Sequence, residues 1–312
     1  MVNKSPAPSL LEGNYLVKAT AVNYLRKLIT EPRLRVLAWA SLVSEILIVV
    51  TGGAVRLTAS GLGCPTWPRC TDSDWTTVPE QGIHGIIEFG NRTLTFVLLL
   101  IAAVMFLAAI ARRGGRKILS TSILLIMGIV LQAVVGGISV LMKLNPWIVG
   151  LHFVISAAMI AIAAVQLWRV YSPEITPPHP IEGRLSIAVI LSVALAQLVG
   201  VVVTGSGPHA GDFETPRNGL DSELWQHIHS YPAYLAVAIT TWLLVLVRRR
   251  DVDGYASRLV FWTLFTLILQ AGVGILQANT GLPSALVATH MFLAATACAL
   301  ITLQWLALHK ES

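Results

Sequence analysis

Four positions in this chain could meet a metal from inside an apolar segment: His152, His229 and His290, and Asn91, which stands where a fourth histidine would complete the pattern. Sliding the sequence along itself by 138 residues puts Asn91 on His229 and His152 on His290. The same shift superposes Leu131, Gln132 and Ala133 on Leu269, Gln270 and Ala271, and Gly136 on Gly274. Each half thus carries an LQA triplet with a histidine 21 residues after its leucine. A histidine inside a membrane-spanning helix is costly unless it holds a ligand, passes protons or meets a partner. One such residue alone would be read as a polar packing group bonded to a neighbouring helix. Three related by an internal repeat point to axial ligation of heme, one heme per half, with one ligand of the first half replaced by asparagine.

Glu88 is the other group here that can do chemistry. It precedes Asn91 by three residues, so both project from one face of a helix. Its repeat mate is Gln226, so the acid belongs to the first half alone. A carboxyl at that place can exchange protons with a bound substrate. The structural alternative is an ion pair with Arg92 or a group on a neighbouring helix. This asymmetry predicts that one half does chemistry while the other holds a permanent cofactor. His84 and His227 lie near the same surface and are reserve ligands. His209 is read as a solvated loop residue rather than a contact to a heme propionate, and His179 as no ligand at all.

The elements that must position these groups follow from composition. The chain is 55% hydrophobic and 12% charged, against roughly 25% charged for a soluble domain. Its mean hydropathy is +0.71. Apolar runs long enough to span a bilayer recur near 36–55, 86–110, 118–142, 148–168, 185–204, 225–247, 258–278 and 285–307. They are continuous rather than alternating, which excludes a transmembrane β-barrel. The expected fold is an all-α integral membrane protein with eight transmembrane helices, arranged as two pseudo-twofold-related four-helix bundles. The expected segments are an N-terminal stretch 1–35, a first half 36–171 with the substrate heme site, and a linker 172–184. A second half 185–307 with the cofactor heme site and a tail 308–312 complete the chain. Pro173, Pro177, Pro178 and Pro180 mark the linker, where proline forbids continuous helix. The first 35 residues lack the pattern of a cleavable signal peptide, and 15–29 read equally as an interfacial helix or a disordered tail.

Lysine and arginine set the orientation. They crowd the N-terminal segment, the 2–3, 4–5 and 6–7 connections and the tail, while the other side keeps Arg56, Arg69, Lys143 and Arg217, with Arg92 just inside a helix. The positive-inside rule puts both termini in the cytoplasm and the protein in the cell membrane. The net charge of +6 is therefore topogenic, and it is too dispersed for nucleic-acid binding. With that orientation Asn91, His152, His229 and His290 fall four to six residues inside helices 2, 4, 6 and 8, roughly 6–9 Å below the outer boundary. Cys64 and Cys70 fall in an outer loop, where an oxidising compartment favours a disulfide over free thiols. Two cysteines without further nearby ligands make a poor zinc site, and Cys298 reads as a small core residue.

The segments TGGAVRLTASGLGCPTWPRC, IIEFGNR and GLHF, then HIH and ATHMF at repeat-related places, resemble the heme A synthase family over roughly residues 36–307. That resemblance implies oxidation of the C8 methyl of heme O, through a hydroxymethyl intermediate, to the formyl group of heme A for cytochrome oxidase. It implies heme b held by His229 and His290 in the second half. Heme O would occupy the first half, with His152 as iron ligand, Asn91 and Arg92 beside it and Glu88 as the catalytic acidic residue beside the reacting edge. It also implies a Cys64–Cys70 disulfide, and heme O synthase and cytochrome oxidase assembly factors as partners. The family pattern E-x-x-H-R reads Glu88, Phe89, Gly90, Asn91, Arg92 in this chain. Either His152 alone holds the substrate iron, or His84 supplies the missing ligand. The second half also lacks the cysteine pair that some relatives carry. Two other functions fit paired intramembrane imidazoles: a diheme b-type electron carrier, and a heme transporter or chaperone.

Overall fold

The computed structural model describes residues 30–111, 115–173, 179–212, 215–250, 252 and 254–309. The described residues form eight long helices: α1 Glu31–Leu57, α2 Gly82–Ala111, α3 Gly115–Leu141, α4 Pro146–Tyr171, α5 Pro180–Ser206, α6 Ser222–Arg249, α7 Gly254–Asn279 and α8 Ser284–Leu308. All eight are long and apolar enough to cross a membrane, as the continuous apolar runs require. Large apolar side chains stay exposed on every helix, among them Val36, Phe96, Met127, Leu151, Leu191, Leu235, Ile268 and Phe292. In water that surface would be an aggregation hazard, whereas in lipid it is the expected solvent-facing side.

The helices run longer than the apolar stretches, because polar residues cap them beyond the hydrocarbon-length core. Asn145 starts α4 by accepting a hydrogen bond from Trp147 N at 3.0 Å, with Pro146 in the first turn. Asp221 starts α6 through bonds from Glu223 N and Leu224 N at 2.9 and 3.1 Å. The expected linker 172–184 is shorter than its prolines suggested, since α5 already begins at Pro180. His179 is its cap: the ring Nδ1 accepts from Ile181 N at 3.4 Å and Glu182 accepts from His179 N at 3.2 Å. A proline in the first turn has no intrahelical N–H bond to lose, so Pro180 opens a helix it would have broken further in. The N-terminal stretch proposed for the interface, 15–29, lies outside the described residues.

Each of α1–α4 packs on its sequence neighbour, and α4 closes back on α1. The helices α5–α8 repeat that scheme, with α8 closing on α5. Further contacts join α1 and α4 to α8, and α4 to α5. Small residues such as Ala38, Ala102, Ala163, Ala164, Ala295 and Ala299 fill the main core, letting backbones approach closely as membrane helices do. At one end of the molecule a long α1–α2 connection, closed by the 3-10 turn Pro79–Gln81, meets the α5–α6 connection through Gly61 N and Gly211 O at 2.8 Å.

Candidate heme sites and their loop

Asn91, His152, His229 and His290 lie on α2, α4, α6 and α8, which all run away from the loop end just described. They follow the first residues of those helices by nine, six, seven and six positions. That places them about 9–14 Å along the helix axes from the starts, at similar distances from the loop end.

Within the layer each of these side chains faces a glycine of an adjacent helix. A Cβ at Gly136 of α3 would stand 3.2 Å from His152 Cε1, and one at Gly274 of α7 would stand 3.1 Å from His290 Cε1. A Cβ at Gly200 of α5 would stand 3.0 Å from His229 Cε1, and one at Gly52 of α1 would stand 3.9 Å from Asn91 Nδ2. The repeat-related Gly136 and Gly274 are therefore floors on which the imidazoles rest. Gly200 and Gly52 do the same work but escaped the sequence comparison, because they do not fall on one shift with the histidines.

His229 and His290 come together. Their ring centroids are 6.3 Å apart with planes at 65°. A metal–imidazole bond of about 2 Å on each side, plus about 1 Å to each ring centre, brings two axial imidazoles to a separation of about 6 Å. Nδ1 of His229 lies 2.8 Å from the Ala196 carbonyl, which orients the ring and leaves Nε2 available to ligate a metal. Among the described residues no group of three or more His, Cys, Asp or Glu side chains gathers around a metal position. A pair of imidazoles is the donor set that an iron porphyrin, which fills the other four positions, requires. The residues present fit a heme.

The first-half residues are arranged differently. Gln132 Nε2 bonds the His152 carbonyl at 3.0 Å and also reaches Ser156 Oγ, tying α3 to α4 beside the His152 ring. His84 is not brought to the His152 layer: it lies two helical turns nearer the start of α2 than Asn91, about 10 Å away, and its Nδ1 pairs with Ser60 Oγ at 2.9 Å. His227 is exposed. His209 bonds the Leu282 carbonyl at 2.9 Å, fastening the α5–α6 connection to the α7–α8 turn.

Glu88 is 5% exposed and ion-paired with Arg92 one turn on. Its other carboxylate oxygen accepts from Cys64 N. Arg92 in turn donates to the carbonyls of Cys64, Thr66 and Arg69 at 2.8, 2.9 and 3.3 Å. The ion pair expected as the structural alternative for Glu88 is thus present, and it serves the loop. Cys64 and Cys70 form a disulfide with sulfurs 1.97 Å apart, both fully buried. Trp67, between them, lies so close on Gly137 of α3 that no Cβ fits there, next to the glycine that floors His152. Sequence reasoning missed this tryptophan; its only signal was its place between two cysteines.

Comparison with known proteins agrees with the geometry. The heme A synthase of an Exiguobacterium species is 26% identical over 241 residues, covering 73% of this chain and 78% of its own. The heme A synthase of Listeria welshimeri is 24% identical over 285 residues, covering 86% and 91%. That of Lysinibacillus sphaericus is 33% identical over 139 residues, 43% of this chain and 44% of its own. The cytochrome oxidase assembly protein family, COX15-CtaA, matches residues 35–210. With more than half of its length matched, this chain belongs to that family of cytochrome oxidase assembly proteins.

Proposed function

We propose that the protein is a heme A synthase, an oxidoreductase that converts the C8 methyl of heme O, through a hydroxymethyl stage, to the formyl group of heme A. The eight helices act as two four-helix halves related by a pseudo-twofold axis, a reading supported by the duplicated packing scheme of α1–α4 and α5–α8. The observation that carries the assignment is the imidazole layer, complete in one half and one ligand short in the other. In the second half His229 and His290 hold heme b, which supplies a redox centre able to accept electrons. A porphyrin held by two imidazoles, with the Ala196 carbonyl orienting one, stays put.

The first half receives heme O. His152 is the single imidazole at its level, so the substrate iron is five-coordinate, which suits a site that must release its product. Asn91 opposite a glycine leaves room on the other face. Charge-assisted bonds from Arg92 and Cys64 N fix the Glu88 carboxylate at the edge of this site, where it takes a proton from the reacting carbon or its hydroxyl. The disulfide loop and Trp67 close the outer side of the first half beside the His152 level. By the asymmetry of lysine and arginine, the loop end faces outward and both termini face the cytoplasm of a cell whose plasma membrane holds the protein. Heme O synthase as donor and cytochrome oxidase assembly factors as acceptors follow from where the reaction stands.

Expression with a source of heme O, followed by acid extraction and chromatography of the pigments, tests the assignment. Heme A in the extract is the expected result. Heme O recovered unchanged would mean a carrier, and two equally tight low-spin hemes b would mean an electron-transfer protein.

A further inference from the structure

A second buried carboxylate lies in the first half, apart from the groups assigned to the reaction. Glu45 sits mid-way along α1 in the apolar run SLVSEILIVV and is 5% exposed. Among the described residues its carboxyl has no hydrogen bond and no ion pair. A carboxyl buried without a partner in a protein interior is expensive, and inside a membrane segment it marks a place where something polar comes.

Its position says what comes. Glu45 precedes Gly52 by seven residues, which is two turns, so it lies within about 20° of the same helix face and about 10 Å deeper than the layer. Gly52 faces Asn91, so Glu45 lies on the side of α1 turned toward the half read as the substrate site, below the Asn91 level. A porphyrin bound there turns its two propionates to the polar loop end, because carboxylates cannot be left in hydrocarbon. The opposite edge then points into the membrane toward Glu45. On that edge heme O carries a hydroxyl at the root of its isoprenoid tail, where heme b carries a vinyl group. The second half makes the comparison directly. Gly200 floors His229 as Gly52 faces Asn91, and seven residues before Gly200 stands Val193, apolar and buried. The half read as holding the vinyl-bearing heme has valine, and the half read as receiving the hydroxylated one has glutamate.

We infer that Glu45 is the residue that recognises heme O, its carboxyl hydrogen-bonding the hydroxyl at the root of the tail. The inference rests on reading the first half as the substrate site. It gives the site a means of preferring heme O to heme b, which carries the same C8 methyl and differs only in having a vinyl group where heme O has the hydroxylated tail.

The test is equilibrium binding to the full-length protein in nanodiscs. Heme O and heme b (iron protoporphyrin IX) are titrated separately, following the Soret change that is lost in His152→Ala. Glu45→Leu is expected to weaken heme O by about tenfold, the worth of one buried hydrogen bond, and to leave heme b unchanged. Glu45→Gln, which can still bond a hydroxyl, keeps most of the preference. An unaltered ratio of the two affinities in Glu45→Leu overturns the inference. Infrared difference spectra of the otherwise wild-type protein supply a readout that needs no folded leucine variant. Heme O, and not heme b, should perturb a carboxyl band that disappears in Glu45→Gln; the same perturbation with both hemes, or none with either, also overturns it. If wild type shows no His152-dependent binding of heme O at all, the fault lies with the first-half reading, and this inference falls with it.

Discussion

Imidazole rings in this protein rest on glycine backbone, and that contact fixes what substitutions at the layer will do. His290→Ala removes one of the two proposed axial ligands, whose rings stand 6.3 Å apart, so most of the low-spin heme spectrum should disappear. His152→Ala should spare that spectrum while stopping formation of heme A. Asn91→His should shift substrate-loaded protein toward low spin, since a second imidazole then faces the substrate iron across from His152. Equal loss of low-spin signal in His152→Ala and His290→Ala would contradict the assignment of the two halves. Glu88 makes a sharper case. In Glu88→Gln the side-chain oxygen can still accept from Cys64 N, so the loop stays docked while the proton acceptor is gone. Heme content should stay near normal and heme A formation should fall by about two to four orders of magnitude, measured by pigment extraction. Turnover near that of wild type would reduce Glu88 to the role of a loop anchor.

At the scale of elements, the α1–α2 connection is tied down three times over. The Cys64–Cys70 bond closes it, Arg92 donates to three of its carbonyls, and Trp67 lies on Gly137. The disulfide encloses a short loop, so by chain entropy it contributes about 2 kcal/mol, and that to the loop rather than to the apolar packing of the bundle. Protein isolated without reductant should resist alkylation at both cysteines, and the intact loop peptide should be lighter by the two thiol hydrogens in mass spectrometry. The Cys64→Ser, Cys70→Ser double variant should keep its eight helices and its low-spin heme, measured by circular dichroism and absorbance, while losing part of its synthetic activity. Loss of the helical signal would mean that the loop holds up the bundle. The helices α3 and α7 are the other recurring device: each carries LQA and a glycine one turn on, and that glycine floors the histidine of the next helix.

For the whole molecule, the layer and the loops share one end, and the lysine and arginine excess lies at the other. An Asp72→Cys variant should therefore react with a membrane-impermeant thiol reagent on intact cells, and an Arg250→Cys variant only after lysis. The reverse pattern would turn the protein over and put Cys64 and Cys70 in a reducing compartment. The contacts of α1 and α4 with α8 also join the two halves where the layer lies. Met291, directly after His290, fills the space over Gly53, whose neighbour Gly52 faces Asn91. Packed residues thus link the His290 position to the Asn91 position.

Sequence alone was sufficient for whatever depends on local pattern. Continuous apolar runs can satisfy their backbone in lipid only as helices, so the eight spans were legible, and the 138-residue shift found the layer because duplicated halves keep their register. Helix ends were less legible: capping by Asn145, His179 and Asp221 lies outside the apolar run, so α5 starts at Pro180 rather than at Leu185, where its apolar run begins. Tertiary structure alone decided which groups meet across helices. It brought His229 and His290 together, bonded Glu88 to the disulfide loop, laid Trp67 on Gly137, and left Glu45 buried with no partner among the described residues. Those facts turn on how each helix is rotated and shifted against its neighbours. That geometry is set by side-chain packing over long sequence distances, and no spacing within a single helix records it.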